Sequence, residues 1–110
     1  MQARAILRSG EVIHIALFSI HPPRGKELAR RSLDLAMNNL QELMISNLRQ
    51  GDVVTRCSVS QLIVMLPQAN YENSCMVCRR VVGAFTRKYP HSPADIQFIV
   101  QPLGRNTFDL

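Results

Sequence analysis

The side chains in this 110-residue sequence that could do chemistry fall into a few clusters. Arg49-Gln50-Gly51-Asp52 pairs a guanidinium with a carboxylate. A guanidinium can hold phosphate or the Hoogsteen edge of guanine, and a carboxylate can accept from guanine N–H groups. The same four residues also read as a helix-terminating Arg and a strand-opening Asp around a tight Gly turn. Cys75-Met76-Val77-Cys78 has the spacing of a redox or zinc pair. Zinc needs four ligands, and no second Cys pair or suitably spaced His pair accompanies it. A redox pair belongs where a helix N-terminus lowers the thiol pKa, whereas these cysteines share an apolar stripe with Val82 and Phe85 and read as packing. Arg56-Cys57-Ser58-Val59-Ser60-Gln61-Leu62, running on through Ile63-Val64-Met65-Leu66 to Pro67, has the outline of a reactive hairpin with no acid in it. His14, His21 and His91 are scattered among different elements, and His14 reads as a packed or interface residue. No nucleophile, base and orienting acid stand at useful spacing, and no G-x-S-x-G or P-loop pattern occurs.

Composition narrows the classes further. Hydrophobic residues make up 46% and charged residues 19%, which is globular rather than disordered. The length suits one domain. A net charge of +5 invites an acidic partner. However, the basic residues fall in pairs on predicted helices (Arg30-Arg31, Arg79-Arg80, Arg87-Lys88) without interleaved aromatics, so solvated helix faces account for them better than a nucleic-acid site. Three cysteines, an odd number, argue against a disulfide framework. No apolar run reaches the roughly 18 residues that span a bilayer, and residues 1–11 lack a signal-peptide apolar stretch. A cytoplasmic location, with no membrane partner, is the expectation.

The elements that must position these residues follow from periodicity. Residues 11–20 are β-branched and apolar and stop at His21-Pro22-Pro23, predicting a strand. Over residues 24–48, Ala29, Leu33, Ala36, Met37, Leu40, Met44 and Leu48 recur at helical steps, with Arg30, Asp34, Gln41 and Glu42 opposite, and Gly51 ends the run. Residues 52–57 and 62–66 predict a hairpin about the turn Ser58-Val59-Ser60-Gln61. Asn70 can cap a second helix whose stripe is Tyr71, Cys75, Cys78, Val82, Phe85 and Tyr89, stopped by Pro90. Residues 95–103 are the last strand. The order is βαββαβ, an α+β ferredoxin-like fold with an antiparallel sheet and both helices on one face. The first strand is apolar on both sides: Ile13, Ile15 and Leu17 on one, Val12, Ala16, Phe18 and Ile20 on the other. The second face therefore needs a cover, either the chain's own N-terminal segment or a second subunit or domain.

The hairpin carries a resemblance. Diguanylate cyclases have R-Y-G-G-D-E-F followed by a short apolar strand and L-P, and Arg56 to Leu62 followed by Ile63-Val64-Met65-Leu66-Pro67 is similar without gaps. The sequence resembles a degenerate GGDEF domain from strand one to strand four. More narrowly, LRQGDVVTRCSVSQLIVMLPQANYENS, with RKYP and VQPL later, is similar to the C-terminal domain of bacterial SARP-type transcriptional activators. That resemblance implies DNA-binding and helical-repeat domains upstream, DNA contact only through them, residues 1–10 as a linker, residues 11–103 as the domain, and residues 104–110 as a tail. It also implies that Arg49 and Asp52 stand where many cyclases have the R-x-x-D product-binding motif for cyclic di-GMP.

The residue types at the hairpin argue against the cyclase reaction. Adjacent glycines let the backbone approach a nucleotide, and here Ser58 and Val59 take those places. The acidic pair serves magnesium and phosphate, and here Ser60 and Gln61 carry no charge. Ser19-Ile20-His21 stands where the remaining metal-binding carboxylates belong. The expectation is a non-enzymatic regulatory or interaction module with no catalytic residue, metal or cofactor. It would pack against other domains of the regulator or a second copy. The alternative is a cyclic dinucleotide sensor using Arg49 and Asp52.

Overall fold

The computed structural model describes residues 13–103. The linker assigned to residues 1–10, Val12 and the tail assigned to residues 104–110 lie outside the described residues. The elements run β1 (Ile13–His21), α1 (Arg30–Asn47), β2 (Val53–Ser58), β3 (Gln61–Leu66), α2 (Tyr71–Lys88) and β4 (Asp95–Leu103). The strands form a single sheet in the order β2-β3-β1-β4. Every neighbouring pair is antiparallel. β1 and β2 flank β3, and α1 crosses over the sheet to join them; α2 does the same between β3 and β4. This is the βαββαβ arrangement that the order of elements implied.

β1 is the hub because it pairs with both β3 and β4. Along its helix-facing side, Ala16 lies opposite Val64 and Val100, and Phe18 opposite Leu62 and Phe98. The Phe18 and Phe98 rings lie 5.6 Å apart. Onto these rows pack Ala36, Met37, Leu40 and Met44 of α1 and Cys78, Val81 and Phe85 of α2. The apolar stripes of the helices thus meet one side of the sheet, and removing that area from water is the main stabilising term. His14 is on this side too, its Nδ1 3.1 Å from the Ala69 carbonyl.

The helices differ in how they begin. Asn70 caps α2 as its sequence indicated, its side-chain oxygen accepting from the Asn73 N–H at 2.8 Å. Glu72 lies in the first turn and Arg87 and Lys88 in the last, matching the helix dipole at each end. α1 has no such signals, since its N-cap is Ala29 and its first turn has no acid. It begins at Arg30, six residues later than the periodicity suggested. Pro22 and Pro23 cannot continue a ladder, and Gly25 takes φ +73°, which breaks a helical path through residues 24–29. Ala29 is consequently exposed rather than on the apolar stripe. In α2, Tyr71 is 53% exposed, while Ser74 and Val81 are buried in addition to Cys75, Cys78 and Phe85. The expected stripe ran along the correct side but was centred one residue off.

Among the described residues no helix lies on the other face of the sheet. There Ile15 lies opposite Met65 and Gln101, Leu17 opposite Ile63 and Ile99, and Val53 opposite Met65. Ile99 is 54% exposed, and Ile15, Leu17, Ile63 and Met65 are half-buried. The apolar second face foreseen for β1 is therefore present and continues onto Ile63 and Met65 of β3, Val53 of β2 and Ile99 of β4, with Gln97 and Gln101 interspersed on β4. These rows contain no lysine, arginine or glutamate.

Stability should track this one-sided core. Leu40 is fully buried, and Leu40→Ala is expected to cost about 3 kcal/mol in urea unfolding. Ser74 is also fully buried, but its Oγ has no hydrogen-bond partner. Removing an unpaired hydroxyl removes a desolvation penalty, so Ser74→Ala should leave the free energy of unfolding unchanged or raise it by up to about 1 kcal/mol.

Candidate functional site

Arg56, at the outer end of β2, reaches across to α1. Its Nε donates to Gln41 Oε1 at 2.8 Å, and its Nη2 donates to Asn38 Oδ1. Asn38 and Gln41 are three residues apart, so one helical face presents both acceptors to the fork of a single guanidinium. The sequence placed Gln41 merely on the solvent side; its pairing with Arg56 needs α1 and β2 to meet.

Beyond Arg56 the hairpin turns through Val59 and Ser60. Among the described residues no non-glycine takes a positive φ, so this turn does not use the left-handed conformations that suit adjacent glycines. The register instead shifts between Arg56 and Ser58, leaving Cys57 as an extra residue. Neutral hydrogen bonds fill the turn. The Ser60 N–H donates to Ser58 Oγ at 3.2 Å, and Ser58 Oγ donates to Gln61 Oε1 at 3.2 Å. Gln61 Nε2 donates to Ser19 Oγ on β1 at 3.2 Å, and the Ile20 N–H donates to the Ser60 carbonyl at 2.9 Å. Ser19, Ser58, Ser60 and Gln61 thus form one connected group at the junction of β1 and the hairpin. Leu62, the next residue, is fully buried beneath Phe18 and belongs to the core. The network offers hydroxyl and amide groups and no ionised one. Among the described residues, no group of three or more His, Cys, Asp or Glu side chains is placed to hold a metal ion.

Arg49 and Asp52 flank the Gly51 turn, where φ is +99°. The Asp52 carboxylate accepts from the Arg49 N–H at 2.9 Å, and the Asp52 N–H donates to the Arg49 carbonyl at 3.0 Å. One carboxylate oxygen is thereby committed to the turn, as the local reading of this motif required. The fold adds something the four-residue pattern does not contain. A cavity of about 60 Å³ beside the turn is lined by Arg49 and Asp52 together with Asn73, Val77 and Arg80 of α2. Asn73, Val77 and Arg80 follow one another at four- and three-residue steps and so share a helix face. That spacing was visible in the sequence, but nothing local aimed it at Arg49. The cavity has room for about two waters, so a nucleotide would lie over the guanidinium groups rather than enter.

The cysteines divide as packing predicts. Cys75 and Cys78 are buried free thiols and Cys57 is an exposed one. Burial pushes the Cys78 thiol up to about 12, with the neighbouring Cys75 adding to the rise. Among the described residues no helix is long and apolar enough to cross a membrane.

No protein-family model matches this chain, and no curated protein matches it. A solved structure does. The fold is similar to that of a DGC protein from Thermotoga maritima, with a TM-score of 0.72 over 94% of this chain and 73% of that one, at 10% sequence identity. At that identity the likeness speaks for the fold alone, which is α+β and ferredoxin-like.

Thiol chemistry tests the placement of the cysteines. Iodoacetamide at pH 8 should alkylate Cys57 within the time that leaves Cys75 and Cys78 unmodified, as peptide mass spectrometry would read. Because the folded Cys78 thiol holds its proton above the ordinary value of 9.0, its contribution to stability is complete below about pH 9 and is lost as pH rises toward about 12. Wild type should therefore lose more of its urea resistance over that interval than Cys78→Ala does.

Proposed function

We propose that this chain is a non-catalytic regulatory and interaction module built on a cyclase-type fold, serving a longer bacterial transcriptional activator of the SARP type. The observation that carries the reading is the Gln61 side chain, bonded on one side to Ser19 and on the other to Ser58. Phosphoryl transfer from a nucleoside triphosphate relies on carboxylates that hold magnesium against the phosphates. Here the hairpin and the adjoining end of β1 supply a closed set of neutral partners instead. Val59, exposed at the tip, adds a side chain where a nucleotide would need close backbone approach. Interaction has a natural surface in the face of the sheet opposite the two helices, with Leu17, Ile63, Met65 and Ile99 in contiguous rows and no basic residue among them. A chain of net charge +5 can approach a partner through that face without bringing like charges together.

A second reading, cyclic di-GMP sensing, is favoured by the convergence of Arg80 and Asn73 on Arg49 and Asp52. Two guanidinium groups and an amide around one surface depression suit a phosphate and a guanine edge better than Arg49 alone would.

Each reading has its own measurement. Incubated with GTP and magnesium, the purified chain is expected to form no cyclic dinucleotide above a buffer control by mass spectrometry; product formation would end the non-catalytic reading. For sensing, calorimetry with cyclic di-GMP should give saturable heat for wild type and roughly tenfold weaker binding for both Arg49→Ala and Arg80→Ala, the scale of one lost charge-assisted hydrogen bond. No heat from wild type retires that reading and leaves the first one standing.

A further inference from the structure

We propose that the cavity between the N-terminal half of α1 and the α2–β4 connection is a binding site for a small apolar anion, a carboxylate or sulfonate carried on a ring system or short alkyl chain. The cavity holds about 400 Å³, within the range typical of small-ligand sites, and it lies apart from both the hairpin network and the Arg49 depression. One wall is the α1 face bearing Ser32, Leu35 and Asn39; the other is the segment from Lys88 to Pro93. Leu35 is 60% exposed here although its neighbour Ala36 is buried in the core. Tyr89 supplies a flat surface backed by Phe85, with ring centres 5.1 Å apart. Together these make an apolar floor that the chain itself does not fill.

Charge selects the class of ligand. Lys88 Nζ lies 5.7 Å from the centre of the Tyr89 ring, so an ammonium is held against the aromatic wall by cation–π attraction. Ser32 is in the first turn of α1, where Ala29 supplies no capping side chain and no acid offsets the positive end of the helix dipole. The opposing negative end, that of α2, is offset by Arg87 and Lys88 in its last turn. Among the described residues no carboxylate lines the cavity. Asp34 on α1 is bound to Arg30 at 2.9 Å. Asp95 lines an adjoining cavity of about 150 Å³ that shares the Tyr89, Pro90 and Ser92 wall, and its carboxylate accepts from Gln97 Nε2 at 2.9 Å on that far side. An apolar pocket edged by a cation and an uncompensated helix start, with the neighbouring acids engaged elsewhere, favours an amphipathic anion over a neutral or cationic ligand of the same shape. The cleft is open on one side, and its volume is that of a small molecule.

The test uses 2-naphthoate and its uncharged analogue 2-naphthalenemethanol, titrated into the isotopically labelled chain and followed by NMR. Naphthoate should saturate at a dissociation constant on the order of 1 mM or lower, with shifts centred on the Leu35 methyls and the His91 and Ser92 amides. The alcohol should bind about fivefold more weakly, and Lys88→Gln should bring naphthoate down to the level of the alcohol. Leu35→Gln should weaken both ligands alike. Lys88 and Leu35 are exposed, so both variants should keep the wild-type spectrum away from the cavity. Equal affinity for acid and alcohol, undiminished binding by Lys88→Gln, absence of saturation, or shifts centred on Leu17 and Ile63 of the outer sheet face would each overturn the assignment.

Discussion

Both helices bury their apolar stripes against the same side of the sheet, on the rows built around Ala16 and Phe18 of β1. The rest of the molecule depends on that one-sided packing. Because β1 pairs with β3 and with β4, it sets their registers, and through them the depth at which Leu62, Val64, Phe98 and Val100 meet the helices. A slip of one residue in β1 would turn Ala16 and Phe18 outward and Leu17 inward. Met37 and Leu40 of α1 pack in the same core as Cys78 and Val81 of α2. The cost of the arrangement is an outer face with apolar side chains that neither α1 nor α2 covers.

The same packing determines what the polar groups can do. Holding α1 over the β2 side of the sheet brings Asn38 and Gln41 within reach of Arg56, which is the fork that ties the hairpin to the helix. Holding β1 next to β3 brings Ser19 to Gln61. Where carboxylates at such a junction would need a cation or would repel one another, a serine–glutamine–serine chain needs neither. The junction is thereby a structural joint that stays neutral across the ordinary pH range. The hairpin is held closed by its own side chains.

How much of this was legible depended on whether the signal was local. α2 announced itself by Asn70, Glu72, Arg87, Lys88 and Pro90, and its observed ends follow those residues. α1 had periodicity but no capping residue, and its start was misplaced because the left-handed turn at Gly25, which keeps residues 24–29 out of the helix, is not announced by a cap; packing of Ala36, Met37, Leu40 and Met44 fixes the helix beyond it. The hairpin's place was legible from the apolar run and Pro67, but its bulge at Cys57 was not, because turn geometry depends on how β2 and β3 pair. At the candidate sites, Arg49 and Asp52 were found by their spacing. Arg80, Asn73, Asn38 and the Lys88–Pro93 wall were not, since each acts through a partner far away in sequence.

By itself the sequence determined the order of the elements, the two-sided apolar character of β1 and the absence of acid from residues 56–62, because these follow from residue type and short-range spacing. Tertiary structure alone decided that Gln61 bonds to Ser19, that Arg80 stands beside Arg49, and that a cavity opens between Leu35 and Tyr89. The physical reason is the same in each case. Periodicity shows which side of an element is buried, whereas the residue it meets is chosen by the packing of helices on a sheet, where close-packed side chains admit one mutual arrangement.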